Sequence, residues 1–381
     1  MIDAAEFLEP ARALGFDFYT GVPCSFLTPL INRVIGARNL DYVGATSEGE
    51  AVAIAAGAWL AGRRSVVMMQ NSGLGNAVNP LTSLNAPFRI PTLLIVTWRG
   101  QPGLKDEPQH EVMGRVTASL LDTIEIGHAP FPAETSQIGP ALDHAMAALA
   151  ERELPFAFIM AKDSVADSPL DQPPPPPRPR GIREEHGAAS PPARAAALAR
   201  ILALAPKTAG IVATTGKTGR ELFTLADREQ HFYQVGSMGC ASGMGLGIAL
   251  NSRRRIIVLD GDGAALMKLG GMATIGAYAP EGLIHIILDN GVHDSTGGQA
   301  TVSPSVDFAG VALACGYGFA AECRGLDGLE AGLKAALERQ GPSLLHLRIA
   351  PGSMEKLGRP TITPPDVARR FRQFLAGSEP G

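Results

Sequence analysis

The sequence predicts an α/β protein of two domains, each a parallel sheet flanked by helices, with no middle domain between them. Three observations carry this. Short β-branched and apolar runs alternate with stretches of helical spacing in both halves of the 381 residues, the pattern of βαβ units. Glycine-rich turns follow several of those runs, which is where ligands bind in open parallel sheets. Five consecutive prolines, 173–177 in DQPPPPPRPR, divide the chain. Proline lacks an amide hydrogen and favours polyproline II, so neither helix nor sheet continues through the block. The predicted organisation is a domain over 1–168, a proline-rich linker over 169–190 and a domain over 191–375.

Taken in order, 41–43, 65–69, 92–96 and 156–160 read as buried strands of the first domain, with a helix over 49–62. In the second, 210–213, 256–259, 284–288 and 343–349 read as strands, with helices over 266–279 and 329–339. Turns are predicted at 71–75 (NSGLG), 214–217 (TTGK), 236–239 (GSMG), 261–263 (GDG) and 289–291 (DNG), and they account for many of the 44 glycines.

Composition narrows the function. Hydrophobic residues at 45% exclude a disordered chain. A charged fraction of 18% and a net charge of −4 argue against a general nucleic-acid binder. The four cysteines form no CxxC pair, so neither a zinc knuckle nor a disulfide framework is expected. No apolar run reaches the roughly 18 residues that a membrane span needs, and the first residues mix charges early. A cytoplasmic protein is expected, with a small-molecule substrate and neither nucleic acid nor membrane as partner.

The sharpest motif begins at Arg255. IIVLD is an apolar strand that ends in GDG, a helical stretch follows, and a second strand, IHIILDN, ends at Asn290. Residues 264–289 separate Gly263 from Asn290, so Asp262 and Asn290 are predicted at the ends of parallel, neighbouring strands. A carboxylate and an amide oxygen beside glycine amides suit Mg²⁺ bound together with a phosphate. The helix start after Gly263 adds partial positive charge for that anion. Thr214-Thr-Gly-Lys-Thr218 raises a second possibility, a P-loop. However, five residues separate Gly210 from Gly216 where that motif has four, and Ile211 occupies the required glycine position. A P-loop NTPase is therefore rejected as the main reading and kept as an alternative.

The strand-GDG-helix-strand-DN unit resembles the signature of thiamine-diphosphate enzymes. That resemblance implies Mg²⁺ held by Asp262, Asn290 and the carbonyl of Val292, with Gly261, Gly263 and Ala264 at the diphosphate. It also implies an aminopyrimidine-activating carboxylate, which EGEAVAIAAG offers as Glu48 rather than Glu50, two positions on. Such a carboxylate shares a proton with the ring nitrogen and so promotes the imino tautomer. SGLG resembles the family's Ser-Gly-Pro-Gly turn, with Leu74 in place of proline and Gly73 at the cofactor. GSMG resembles the turn that bends the cofactor, making Met238 the wedge and placing Gly236 and Ser237 beside it. Cys240 stands where a histidine is common, so no role is carried to it. Thr215 and Gly216 are implied to bind the diphosphate, with Lys217 optional.

With no middle domain, the chain looks like the phosphonopyruvate decarboxylases, with the sulfopyruvate decarboxylases as nearest neighbours. GVPCSF, Arg99-Gly, DEPQH and HDSTGGQ match that branch. The fold implied is a pyrimidine-binding domain followed by a diphosphate-binding domain, both of the thiamine-diphosphate-binding kind. The activity implied is decarboxylation of 3-phosphonopyruvate to phosphonoacetaldehyde and CO₂ in phosphonate biosynthesis, by a carboxy-lyase. A trianionic substrate calls for cationic and amide contacts, and Ser25, Arg99, Lys105, Gln109 and Gln299 are the candidates. His110 and His293 are the candidates for proton transfer. The family also implies a homo-oligomer with active sites where subunits meet. Beside the P-loop NTPase, two alternatives stay open: sulfopyruvate as substrate, and a non-catalytic cofactor-binding protein.

Overall fold

The computed structural model describes residues 1–174, 178 and 180–377. The chain divides into two units, Met1–Pro176 and Pro177–Gly381. The polyproline prediction over 175–177 lies outside the described residues.

The first unit holds six strands: β1 (Phe16–Gly21), β2 (Asp41–Gly44), β3 (Arg64–Gln70), β4 (Leu93–Thr97), β5 (Gly127–Pro130) and β6 (Phe156–Met160). All pair in parallel, in the order β2-β1-β3-β4-β6-β5. Strand alternation then assigns the two faces. Val66, Met68, Leu93 and Ile95 join Phe7, Phe131, Phe156 and Phe158 in one core. Val67, Met69, Leu94 and Val96 join Ala51, Val52 and Ala55 of the helix Glu48–Leu60 in the other. Each large apolar side chain so buried contributes roughly 2 kcal/mol. The alanine-rich helix is buried on nearly every side, which small residues permit by letting its backbone approach the sheet. The order reverses between β1 and β3, and the crevice beyond the strand ends at such a switch is the usual ligand site.

The second unit holds β7 (Ile182–His186), β8 (Gly210–Ala213), β9 (His231–Tyr233), β10 (Ile256–Gly261), β11 (Leu283–Asp289), a short antiparallel pair β12 (Val292–His293) and β13 (Gln299–Ala300), β14 (Phe319–Cys323) and β15 (Ser343–Arg348). Seven of these form a parallel sheet in the order β7-β14-β15-β11-β10-β8-β9. Its reversal lies between β8 and β10. Among the described residues, no helix is long and apolar enough to cross a membrane.

Three sequence expectations are corrected. The linker over 169–190 contains a strand, because β7 pairs with β14 along Ile182–His186. Its charged sequence is that of a sheet edge, with Arg183 on Asp307 at 2.6 Å and Glu184 on Arg339 at 2.7 Å. The helix expected over 266–279 is two helices, Asp262–Met267 and Gly271–Tyr278, interrupted over 268–270. The turn expected at 71–75 is instead the start of the helix Asn71–Pro80.

Candidate active site

In the second unit, the loops after β8, β10 and β11 surround a cavity of about 210 Å³ at the sheet's switch point. Ten predicted positions line it: Thr215, Gly216, Met238, Gly261, Asp262, Gly263, Ala264, Asn290, Val292 and His293. Parallel pairing explains the convergence. Gly261 is in register with Leu288, so the residues that follow on each strand leave the sheet side by side. Gly263 is a close approach: a Cβ there would lie 2.8 Å from His293 Cε1 and 3.1 Å from Met238 Cε. Gly216 has φ +97°, a left-handed conformation that favours glycine. It opens the helix Lys217–Leu225 without a side-chain cap, leaving first-turn amides available at the cavity. Gly236 and Ser237 lie just beyond this lining, and their carbonyls accept from Gln234 Nε2 at 2.8 and 2.7 Å.

Asp262 is buried, and one of its oxygens accepts from the hydroxyl of Thr301. Thr301 and Ser303 stand 3.1 Å apart, Ser303 donates to Asp289 at 2.8 Å, and His346 Nε2 lies 2.9 Å from the other Asp289 oxygen. Burial opposes ionisation of Asp289, yet the bonds from His346 and Ser303 hold its carboxyl below the usual range. Asn290 accepts from the Val292 amide at 3.2 Å and donates to Asp294 at 2.7 Å.

The lining fits a diphosphate bound with a hard cation. Asp262, the Asn290 amide and the Val292 carbonyl supply oxygens, the donors that Mg²⁺ takes. Among the described residues no three His, Cys, Asp or Glu side chains cluster as a metal site. Thr214 lines the cavity, and its hydroxyl is buried without a hydrogen-bond partner.

In the first unit the two candidate glutamates have different surroundings. Glu50 is buried and accepts from Thr46 N and Oγ1 at 2.8 and 2.6 Å, so it caps its own helix. Glu48 is half-buried, accepts from Asn76 at 2.9 Å, and lies directly over Gly73. The pair Glu48 and Gly73 thus sits at the switch point of this sheet, after β2 and β3.

Ser25, Arg99 and Lys105 also gather. Arg99 and Lys105 line a cavity of about 100 Å³ together with Phe26, Trp98 and Lys162. Ser25 accepts from Arg99 at 3.2 Å. The rest of the Arg99 fork is committed to Asp106, at 2.8 and 2.5 Å. That bond, with the amides of Gly100 and Glu107, holds the Asp106 carboxyl well below the usual carboxylate range. Gln109 is exposed and stands outside the lining of that cavity. His110 is buried, with Nδ1 unpartnered. Gln299 belongs to the other unit, opposite His293 in the β12–β13 hairpin, and is exposed. Sequence reasoning missed Thr301, Asp294 and Arg194, of which the last two line the second unit's cavity. A usable signal existed for Arg194: a cation in the first turn of a helix opposes the helix dipole, so it needs anionic partners.

Residues 4–120 match the N-terminal TPP binding domain of thiamine pyrophosphate enzymes, and residues 214–347 match their C-terminal TPP binding domain. A phosphonopyruvate decarboxylase from Streptomyces viridochromogenes is 52% identical over 98% of this chain and 95% of its own length. A sulfopyruvate decarboxylase from Methanosarcina acetivorans is 29% identical over 97% of this chain and 96% of its own. Benzoylformate decarboxylase from Polynucleobacter necessarius superposes with a TM-score of 0.74 at 13% identity, covering 93% of this chain and 100% of that one. That last likeness is one of fold.

Proposed function

The chain belongs to the phosphonopyruvate decarboxylases, a family of thiamine pyrophosphate enzymes, and from that premise we propose that it converts 3-phosphonopyruvate to phosphonoacetaldehyde and CO₂ with the help of Mg²⁺. The observation that carries the site assignment is the meeting of Asp262, Asn290 and Val292 on one cavity at a sheet switch point.

When bound, thiamine diphosphate supplies a carbon nucleophile and an electron sink for the pair released as CO₂ departs. The residues do the rest. Asp262, Asn290 and the Val292 carbonyl hold Mg²⁺. Thr215, Gly216, Gly261, Gly263 and Ala264 take the diphosphate, with Gly236, Ser237 and Met238 on the ring side. Glu48, seated over Gly73, holds a proton at the aminopyrimidine nitrogen. Ser25, Arg99 and Lys105 receive the phosphonate, aided by Gln109 and Gln299, because a phosphonate takes charge-assisted hydrogen bonds. His110 and His293 serve proton transfer.

The protein is proposed to associate with further copies of itself, so that Glu48 of one copy serves the cofactor bound by another. The four free cysteines suit a reducing cytoplasm, and phosphonate biosynthesis is the proposed setting.

The test is to incubate the protein with 3-phosphonopyruvate or sulfopyruvate, with and without thiamine diphosphate and Mg²⁺, and to follow aldehyde by coupled reduction. Phosphonoacetaldehyde formed only with cofactor and metal is the expected result. Faster turnover of sulfopyruvate would overturn the substrate, and no aldehyde from either acid would overturn the reaction.

A further inference from the structure

A buried ionic network leads from the helix Arg194–Leu204 to Asn290. Arg194 is 5% exposed. Its Nη2 donates to Asp294 Oδ2 at 2.5 Å, and its Nη1 lies 3.5 Å from Glu221 Oε1 and donates to the Gly352 carbonyl at 3.2 Å. The same Asp294 oxygen accepts from Asn290 Nδ2 at 2.7 Å. The Gly352 amide completes the environment of Asp294 at 3.3 Å.

An ionic group is expensive to bury, and a cation in the first turn of a helix is opposed by the dipole as well. A tie between a helix and a loop alone would not require one. The chemistry at the far end supplies a reason. An asparagine amide can present either its oxygen or its NH₂ to a given direction, and its two orientations are nearly equal in shape. An ionised carboxylate only accepts hydrogen bonds. Asp294 therefore takes the NH₂ of Asn290 at 2.7 Å, and Oδ1 faces the other way, where it accepts from the Val292 amide at 3.2 Å. Arg194 in turn holds Asp294 in place.

We propose that Asp294, backed by Arg194, is a positioning residue that fixes the Asn290 amide with its oxygen available to the metal. This rests on the proposed role of Asn290 as a Mg²⁺ ligand.

Mn²⁺ in place of Mg²⁺ provides the probe. Its affinity for the full-length protein with thiamine diphosphate is read by electron paramagnetic resonance, alongside the melting temperature of the cofactor-free protein. Asp294→Asn keeps the shape but can donate as well as accept, so the Asn290 amide keeps only the weaker 3.2 Å contact from the Val292 amide to orient it. Mn²⁺ binding is expected to weaken about 10- to 100-fold, the usual cost of losing a partner behind a metal ligand. The exchanged pair, Asn290→Asp with Asp294→Asn, puts the donor on the outer residue and a carboxylate oxygen at the metal. It is expected to recover most of the loss, and it serves also where the single variant does not fold.

If Asn290→Ala abolishes Mn²⁺ binding while Asp294→Asn stays within about threefold of wild type, the positioning role is wrong and the ligand assignment stands. A lower melting temperature in Asp294→Asn with unchanged Mn²⁺ affinity also refutes the positioning role. Failure of the exchanged pair to recover binding overturns it as well. If Asn290→Ala itself leaves Mn²⁺ binding unchanged, the ligand assignment falls and the inference with it.

Discussion

Gly73→Ala is a sharp probe of where Glu48 must stand. A Cβ at Gly73 would lie 2.2 Å from Glu48 Oε1, 2.4 Å from Cδ and 2.5 Å from Cγ. Ordinary contact begins near 3.4 Å, so the carboxylate must retreat by about 1 Å, and a displacement of that size at a reacting group can cost about 100-fold in rate. Stability should barely change. The obstacle is the Glu48 side chain from Cγ outward rather than backbone, and the retreat breaks the 2.9 Å bond from Asn76, a loss of about 1 kcal/mol. Alanine inside the helix Asn71–Pro80 returns a similar amount relative to glycine, about 1 kcal/mol. The assay pairs turnover of phosphonopyruvate, followed by coupled aldehyde reduction, with a thermal melt. The expected outcome is a kcat lower by about 100-fold and a melting temperature within about 3 °C of wild type. A kcat within about threefold of wild type would refute the placement of Glu48. A melting temperature lower by about 10 °C, a shift worth several kcal/mol, would show that the glycine serves backbone packing instead.

Other predictions address chemistry, packing and pH. Glu48→Gln removes the shared proton but keeps the shape; decarboxylation should fall by about 10²- to 10⁴-fold, while cofactor binding, read by fluorescence quenching, persists. Gly114→Ala would bring a Cβ to 1.7 Å from the Gly100 carbonyl oxygen, a clash with backbone that no rotamer relieves. It should cost about 3 kcal/mol in urea unfolding of the protein, where Gly139→Ala, with no atom within 4 Å of its Cβ, should cost nothing measurable. His231 is fully buried, and that burial, reinforced by the charge of Arg228, pushes its imidazole down to about 4. Because the folded value lies below the unfolded 6.5, the unfolded chain takes up the proton first. Stability is therefore lost as pH falls from about 6.5 to about 4, by up to roughly 3 kcal/mol, and levels off below. Urea titrations across that window should show the slope, and His231→Phe should flatten it; an unchanged slope would assign it to other groups.

The site was legible where local chemistry is strict. GDG and DNG must follow strand ends, and the parallel pairing of β10 with β11 is a direct consequence of a strand-helix-strand spacing. Elements that lack a periodic apolar pattern were not legible. β1 carries Asp17 within FDFYTG, β9 is three residues long, β14 is rich in small residues, and β7 has Arg-Glu-Glu at its centre. Each is a strand because a neighbour in the sheet supplies hydrogen bonds and register, which no local propensity encodes. The predicted turn at 71–75 became a helix for a similar reason. Asn71, poor as a helix former, is buried and held by the Arg99 carbonyl at 2.8 Å and Thr117 at 2.9 Å.

By itself the sequence determined the two-domain α/β plan, the family, and the residue types at the strand ends, because glycines, carboxylates and amides in those turns answer to chemistry within a few neighbours. Tertiary structure alone decided which of two glutamates faces outward, that the Arg99 fork is bound to Asp106, and that Arg194 and Asp294 stand behind Asn290. Those outcomes depend on contacts such as that of Glu48 with Asn76, 28 positions apart, and that of Arg194 with Asp294, 100 apart. Burial and hydrogen-bond competition settle them only once the sheets have brought the partners together.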